Sequence, residues 1–438
     1  MQSIVIIADD LTGAADTAVQ FSPFFDNTVL LSYLKLSRAV ALTSPSFLQA
    51  TAVYTNSRAL GVNPARRRLG SIAQRLSQSE PQWIYKKVDS CLRGNLGVET
   101  EALMDALDYE LSIIAPAFPE MGRITVDGVH RVHGIPVGKT EISRDPVTPV
   151  TESSLFRVVD SQTRYRVGHV AWRFLENNET GLQREIERQI SSGIRHIVFD
   201  TTSRAHLDRI ASLVGSSSHR MLPVGSAGLA ASFGNLLFPG PVFKGHEQHF
   251  SSKGNHLLVC GTQSEVTRQQ ISALIEVYPY EKIALDPGIL AAQQRSDALL
   301  NTVSLARSKL CEKHVVITID SPQNTQIAIR QPKRQQVTQG IATGLGRLTA
   351  AVLAGIRPGL LFLTGGDTAD AVLTAVEAEG LQLFGELVTG VVQGTILGGP
   401  LDGLPVVTKA GAFGRQDTLI GMHNICQKSM MEKADEGR

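Results

Sequence analysis

The chain's 438 residues, 42% hydrophobic and 19% charged, exceed the size at which one core stops growing, so two domains are expected and a disordered protein is excluded. Forty-two Lys plus Arg against 41 Asp plus Glu leave a net charge of +1, which excludes a general field for a polyanion, and no nucleic-acid partner is expected. Cys91, Cys260, Cys311 and Cys426 lie too far apart for a C-x-x-C pair or a disulfide framework, which fits a reducing cytoplasm.

In chain order, the opening MQSIVIIADD sets two acids after an apolar run too short for a signal peptide. No later stretch reaches the about 18 apolar residues of a membrane span, so a soluble cytoplasmic protein without a membrane partner is expected. β-Branched runs then alternate with helical periodicity. Strands are predicted at 4–8, 29–32, 52–55, 83–87, 112–115, 196–200 and 221–224, and helices at 13–21, 97–107 and from Gly225 into Phe233. The polar interval GHEQHFSSKGNH marks a boundary, giving a first domain over 1–244, a linker over 245–256 and a second domain over 257–438. Strands at 256–260, 315–320, 360–363 and 406–409 follow, with helices from Ser264, from Thr368 and after Lys409. The rhythm is that of an α/β protein of two domains, each with a largely parallel sheet flanked by helices.

Chemistry-bearing residues fall at the strand ends. IVIIADDLTGAADTA puts Asp9 and Asp10 after the first strand, a pairing costly to desolvate unless the acids meet hydroxyls, a metal or a cation. TNSRAL offers Arg58 at the next strand end. IYKKVDSCLRGN then supplies Lys86, Lys87, Asp89 and Arg93, a set suited to a small hydroxylated carboxylate: Arg forks a carboxylate while Asp accepts from hydroxyls. The stretch 115–154 is expected to be a long functional loop, with Arg123, Asp145 and Ser153 as its fixing or substrate contacts. His130 and His133 within it suit hydrogen bonding better than a metal.

In the second half, LLFLTGGDTADAVL runs a strand into Gly365, Gly366, Asp367 and Thr368 and then a helix. Glycines there admit a bulky anion, and the first helical amides point at it. VCGTQSEVTRQQ turns at Gly261, Thr262, Gln263 and Ser264, with Thr262 and Glu265 spaced as a capping box. VVTKAGAFGRQDTL opens a third turn at Gly411 and Gly414. Each turn alone is ordinary, but three on one parallel sheet favour a nucleotide site. HGIPVGKTE has His133 where a P-loop needs Gly, and the pair Gly344 and Gly346 lacks a third glycine, so neither reads as a phosphate motif.

IADDLTGAADTA, KKVDSCLRGN, the APAFPEMGR to DPVTPV stretch, LPVGSAGLA, LFLTGGDTAD and TKAGAFG occur in the order found in the four-carbon acid sugar kinases, which the chain resembles over nearly its whole length. The resemblance implies a sugar-acid-binding domain and a nucleotide-binding domain facing across a cleft, with ATP and Mg²⁺ phosphorylating the terminal 4-hydroxyl of a tetronate. The opening is more similar to that of D-threonate kinases than to the DDFTGATD of 3-oxo-tetronate kinases. It implies ATP at Ser264, at Gly365, Gly366, Asp367 and Thr368, and at Gly411, and the acid at Asp10, Arg58, Lys86, Lys87, Asp89 and Arg93. On that footing Arg58 and Lys87 are expected on the carboxylate, and Asp10 and Asp89 on the hydroxyls, one of them taking the proton. The resemblance leaves open a direct Mg²⁺ ligand, the tetronate isomer, with D-erythronate and 3-oxo forms as alternatives, and assembly as a homo-oligomer. A Schiff-base lyase using Lys86 or Lys87, and a sensor without turnover, are the rival readings. Polar strand ends in both halves disfavour the sensor, which needs one site.

Overall fold

A computed structural model of the chain describes residues 3–35, 49–78, 81–145, 147–176, 179–238, 254–262, 264–291, 297–319, 333–411 and 413–435. Gln263, Asp320 and residues 245–253 of the expected linker lie outside the described residues. The chain divides into two compact units, Met1–Phe243 and Lys244–Arg438.

The strands of the first unit are β1 (Ser3–Ala8), β2 (Asn27–Ser32), β3 (Gln49–Tyr54), β4 (Trp83–Lys87), β5 (Leu111–Ala115), β6 (Arg123–Val126), β7 (Val129–Val132), β8 (Ile135–Pro136), β9 (Arg166–Val170), β10 (Ile194–Phe199) and β11 (Met221–Gly225). Its main sheet runs β2-β3-β1-β4-β11-β5-β10-β9, every pair parallel. Sheets covered by helices on both faces need strands apolar on both faces, and β1, β3, β5 and β11 are buried almost throughout. Phe233, on the helix Ala227–Leu237, meets Trp83 edge to face at 5.3 Å between ring centres. Ser226 caps that helix and donates to the Ala117 carbonyl at 2.7 Å, tying it to the end of β5.

The stretch expected as a loop is more regular than its composition suggests. β6, β7 and β8 form a small antiparallel sheet. Its turns are Asp127-Gly128 and His133-Gly134, all four residues at positive φ, the conformation that two-residue hairpins demand. His133 is therefore a turn residue, its ring filling the space a side chain on Gly122 would take. His130 is fully buried, with Thr125 Oγ1 and the Ser90 carbonyl 3.0 and 2.8 Å from its ring nitrogens. Burial pushes its pKa down to about 4.

The second unit contains β12 (His256–Cys260), β13 (Tyr280–Leu285), β14 (His314–Ile319), β15 (Leu360–Thr364), β16 (Gly380–Val388), β17 (Val391–Leu397) and β18 (Pro405–Lys409). Their order is β13-β14-β12-β15-β18-β17-β16. The first five are parallel, while β17 is antiparallel to β18 and β16. The β16–β17 hairpin turns at Thr389-Gly390, with Gly390 at φ +77°. On one face Leu419, Met422 and Cys426 of the helix Thr418–Asp435 pack against Phe362, Leu258 and Val407, each buried aliphatic contributing about 2 kcal/mol.

At the amino-terminal edge of this sheet a histidine seam pins that helix. Tyr280 Oη lies 3.1 Å from His256 Nδ1 and 2.9 Å from His423 Nδ1, and the His256 amide donates to His314 Nδ1 at 2.9 Å. The three rings offer nitrogens within 4.8 Å of one another, and each Nδ1 is already hydrogen-bonded. Among the described residues, no helix is long and apolar enough to cross a membrane.

Candidate active site

The carboxyl ends of β3, β1 and β4 lie side by side, and the residues after each strand converge. Asp10 is set by helix capping: its Oδ1 accepts from the Gly13 amide at 3.1 Å and its Oδ2 from the Thr12 hydroxyl at 2.9 Å. Arg58 stands on a turn whose Thr55 and Asn56 carbonyls accept from Arg68 Nη1 at 2.8 and 2.9 Å. Its Nε and Nη2 donate to Asp9 at 2.7 and 3.0 Å, and its Nη2 and Nη1 to Asp10 at 2.7 and 3.1 Å. Asp89 Oδ1 lies 3.6 Å from the same Nη2. Burial opposes the guanidinium's charge, but Asp10, Asp9 and Asp89 outweigh it and hold Arg58 well above its ordinary pKa. Burial likewise raises the Asp9 carboxyl, and Arg58, Lys86 and Lys87 together bring it below the usual range.

Asp89 has its own arginine. Arg93 Nε and Nη2 donate to its two oxygens, both at 3.0 Å, and the amides of Cys91 and Arg93 add bonds at 3.0 and 3.2 Å. Burial works against the Asp89 charge, yet Arg93 and Arg58 keep the carboxyl well below its ordinary value. Arg93 Nη1 reaches Asp145 Oδ2 at 3.4 Å. Two glycines make room: a Cβ on Gly13 would stand 2.5 Å from Asp10 Oδ1 and 2.9 Å from Lys87 Nζ, and Gly94, at φ +91°, abuts Asp9 and Arg58.

Asp10, Arg58, Lys87, Asp89 and Arg93 are thus brought together, with two corrections of role. Arg58, expected on a substrate carboxylate, is already committed to two acids through four hydrogen bonds. Lys86, expected beside the substrate, points under the sheet end: it is fully buried and paired with Glu99 Oε2 at 2.7 Å, because β4 alternates its side chains and sends Lys86 and Lys87 opposite ways. Lys87 Nζ donates to the Val88 carbonyl at 2.8 Å on the Asp10 side. Sequence reasoning missed Glu99, which also accepts from the Ser57 hydroxyl at 2.7 Å. Its one signal is an acid among the apolar positions of the helix Leu96–Leu107.

In the second unit, the turns after β12, β15 and β18 adjoin because those strands are neighbours. Gly365, at φ +96°, closes β15 and donates to the Lys409 carbonyl at 2.9 Å. No side chain caps the helix Gly366–Ala375, whose first turn carries Asp367 and Thr368, so its leading amides are offered at the strand end. A Cβ on Gly261 would meet Thr368 Oγ1 at 2.0 Å, and one on Gly411 would meet Thr262 Oγ1 at 2.4 Å, so the turns touch. The expected capping box does not form: Ser264 is the N-cap residue of the helix Glu265–Val277, and Thr262 Oγ1 accepts from the Ser264 amide at 3.2 Å. Gly138 lies in a short 3₁₀ turn, and Gly344 and Gly346 lie inside the helix Lys333–Leu353, against Leu290 and Ala371. None of these three stands in a phosphate turn.

Residues 4–233 match the family described as "Sugar-binding N-terminal domain" and residues 257–419 that described as "Nucleotide-binding C-terminal domain". The chain is 32% identical to a D-threonate kinase of Salmonella typhimurium, covering 95% of this chain and 96% of that one. It is 29% identical to a D-erythronate kinase of Heliobacterium modesticaldum, covering 95% of each. A crystal structure of a Salmonella typhimurium protein, described as a putative tRNA synthase, shares the fold with a TM-score of 0.78 at 22% identity, over 96% of this chain and 99% of that one. The matched pair of domains defines a sugar kinase with one domain for each substrate class. The chain belongs to the four-carbon acid sugar kinase family.

Proposed function

We propose that the chain transfers the γ-phosphoryl group of ATP to the 4-hydroxyl of D-threonate, giving 4-phospho-D-threonate and ADP. The observation that carries this reading is the cluster at the ends of β1, β3 and β4. Acids held ionised by Arg58 and Arg93 stand beside the ammonium of Lys87, as a hydroxylated carboxylate requires. The 32% identity to a D-threonate kinase, against 29% to a D-erythronate kinase over the same share of the chain, supports the choice of acid.

In this reading Lys87 and the Nη1 edge of Arg93, bonded only loosely to Asp145 at 3.4 Å, grip the substrate carboxylate. Arg58 holds Asp9 and Asp10 in place. Asp10 accepts the proton of the 4-hydroxyl as that oxygen bonds to the γ-phosphorus and the bond to the ADP oxygen breaks. Asp89 serves Arg93: its oxygens take the Arg93 fork and two backbone amides, its carboxyl is held well below the usual range, and its side chain is half as exposed as that of Asp10, 9% against 18%. The amides around Gly365, Gly366 and Gly411 cradle the phosphates, with Ser264, Asp367 and Thr368 at the rim. Thr364 Oγ1, buried without a hydrogen-bond partner at the end of β15, and the exposed Asp367 carboxylate three residues on are hard oxygens of the kind Mg²⁺ takes, and would hold it at this turn. When bound, Mg²⁺ neutralises phosphate charge.

An ATP-consumption screen over D-threonate, L-threonate, D-erythronate and the 3-oxo acids tests the proposal. D-threonate is expected to give the highest kcat/KM. A higher value for D-erythronate or a 3-oxo acid overturns the choice of acid, and no turnover on any of them overturns the reading. For the lyase alternative, borohydride trapping with a keto acid is expected to fail, because Lys86 is buried against Glu99.

A further inference from the structure

The turn after β18 is wrapped round a buried ammonium. Lys409 is 1% exposed, and its Nζ donates to the carbonyls of Ala410 and Phe413 at 2.9 and 3.0 Å. The Gly411 carbonyl and Thr267 Oγ1 each lie at 3.4 Å. Thr267 Oγ1 itself donates to the Gly411 carbonyl at 2.7 Å, and Gln270 Nε2 to the Phe413 and Arg415 carbonyls at 3.1 and 2.8 Å. The turn's carbonyls are thus gathered inward.

Two consequences follow from elementary chemistry. A trans peptide carries its N–H opposite its C=O. The amides of Gly411 and Gly414, which share peptide planes with the Ala410 and Phe413 carbonyls, therefore face away from the ammonium. Further, among the described residues no carboxylate pairs with Lys409, so its charge lacks a protein counter-ion in a buried place, where an anion is worth most. Burial lowers its pKa to about 8, and the titratable group facing it is the buried Cys260 thiol on β12, itself pushed up to about 12 by burial.

We propose that Lys409 is a positioning residue for nucleotide: it holds the Gly411 turn with amides outward and supplies the buried positive charge that the phosphates complete. This rests on the nucleotide reading of the three turns. Asp10 and the sugar-acid cluster have no part in it.

The test compares Lys409→Met and Thr267→Val with the wild-type full chain. At pH 7, Lys409→Met is expected to raise the ATP KM roughly ten- to a hundredfold, the worth of a charge-assisted hydrogen bond, with kcat and the sugar-acid KM within threefold. Calorimetric ADP affinity is expected to fall in parallel. In the wild type that affinity should decline as pH rises through about 8, where the ammonium loses its charge, and in Lys409→Met the profile should be flat. Thr267→Val removes one tie of the turn and keeps the ammonium; it is expected to raise the ATP KM severalfold, and it decides the matter if Lys409→Met does not fold. An unchanged ATP KM and ADP affinity in a folded Lys409→Met, or in Thr267→Val where that variant decides, overturns the inference while wild-type turnover leaves the kinase reading intact. Absence of wild-type turnover on every tetronate overturns the kinase reading instead.

Discussion

Arg58 meets Asp9 side-on, Nε to Oδ2 at 2.7 Å and Nη2 to Oδ1 at 3.0 Å, and turns its remaining edge to Asp10. One guanidinium therefore joins the end of β3 to the end of β1, and it is the main cause that brings the buried Asp9 carboxyl below the usual range.

Arg58→Met is expected to destabilise the chain by about 3–5 kcal/mol, since it leaves partly buried carboxylates facing one another unpaired. Arg58→Lys should recover only part of this, because an ammonium cannot fork. The sign with pH follows from Asp9, whose folded pKa is lowered: its share of stability is present above the unfolded value of about 3.9 and is lost as pH falls through the folded one. Urea midpoints for wild type and variant should thus converge below pH 4. A loss under about 1 kcal/mol at pH 7 would show that water already solvates these acids.

Asp10→Asn keeps the helix cap's shape but removes the proton acceptor. Turnover is expected to drop roughly 10²- to 10⁴-fold with ATP affinity within threefold, measured by coupled assay and ADP calorimetry. A collapse of ADP affinity with turnover of bound ATP preserved would assign Asp10 to the wrong substrate.

Much of the candidate site was legible as a placement, because parallel α/β sheets gather polar residues at the carboxyl ends of strands, where Asp10, Arg58, Asp89, Gly365 and Gly411 all stand. What the pattern hid was partner choice. Two consecutive lysines, Lys86 and Lys87, look alike in sequence, yet strand alternation buries one against Glu99 from a helix well downstream. The small sheet at β6–β8 was hidden by Pro and Gly content, although Asp127-Gly128 between valines is a hairpin signal. The β16–β17 hairpin was hidden for the opposite reason: its apolar alternation is weak, and Thr389-Gly390 is an uncommon turn pair. The role proposed for Lys409 is invisible without coordinates, since only the fold shows that its ammonium faces carbonyls and, among the described residues, pairs with no acid.

The histidine seam predicts acid lability. Burial holds His256 at about 3 and His423 at about 4, and lowers His314. Folded values below the unfolded one of about 6.5 mean that the unfolded chain takes up protons first. This stability is complete above pH 6.5 and is lost as pH falls toward 4. His256 alone should cost about 2 kcal/mol by pH 5. Thermal melts from pH 7.5 to 5 should show Tm falling below 6.5, with a shallower acid limb in His256→Gln. Parallel limbs in the two proteins would remove the seam as the cause.

Glycine substitutions should separate the two substrates. Gly13→Ala sets a Cβ 2.5 Å from Asp10 Oδ1 and 2.9 Å from Lys87 Nζ, closer than real contacts allow, so the acid and the ammonium must part. The helix itself gains from alanine, so the fold should survive. Sugar-acid KM is expected to rise at least tenfold, with ADP affinity unchanged. Gly365→Ala instead forces φ +96° on a residue with a side chain, at the start of an uncapped helix whose amides serve the phosphates. If those amides serve the phosphates as proposed, the ATP KM should rise at least tenfold and the sugar-acid KM stay put. Should both variants shift the same Michaelis constant, the assignment of one substrate to each set of strand ends fails.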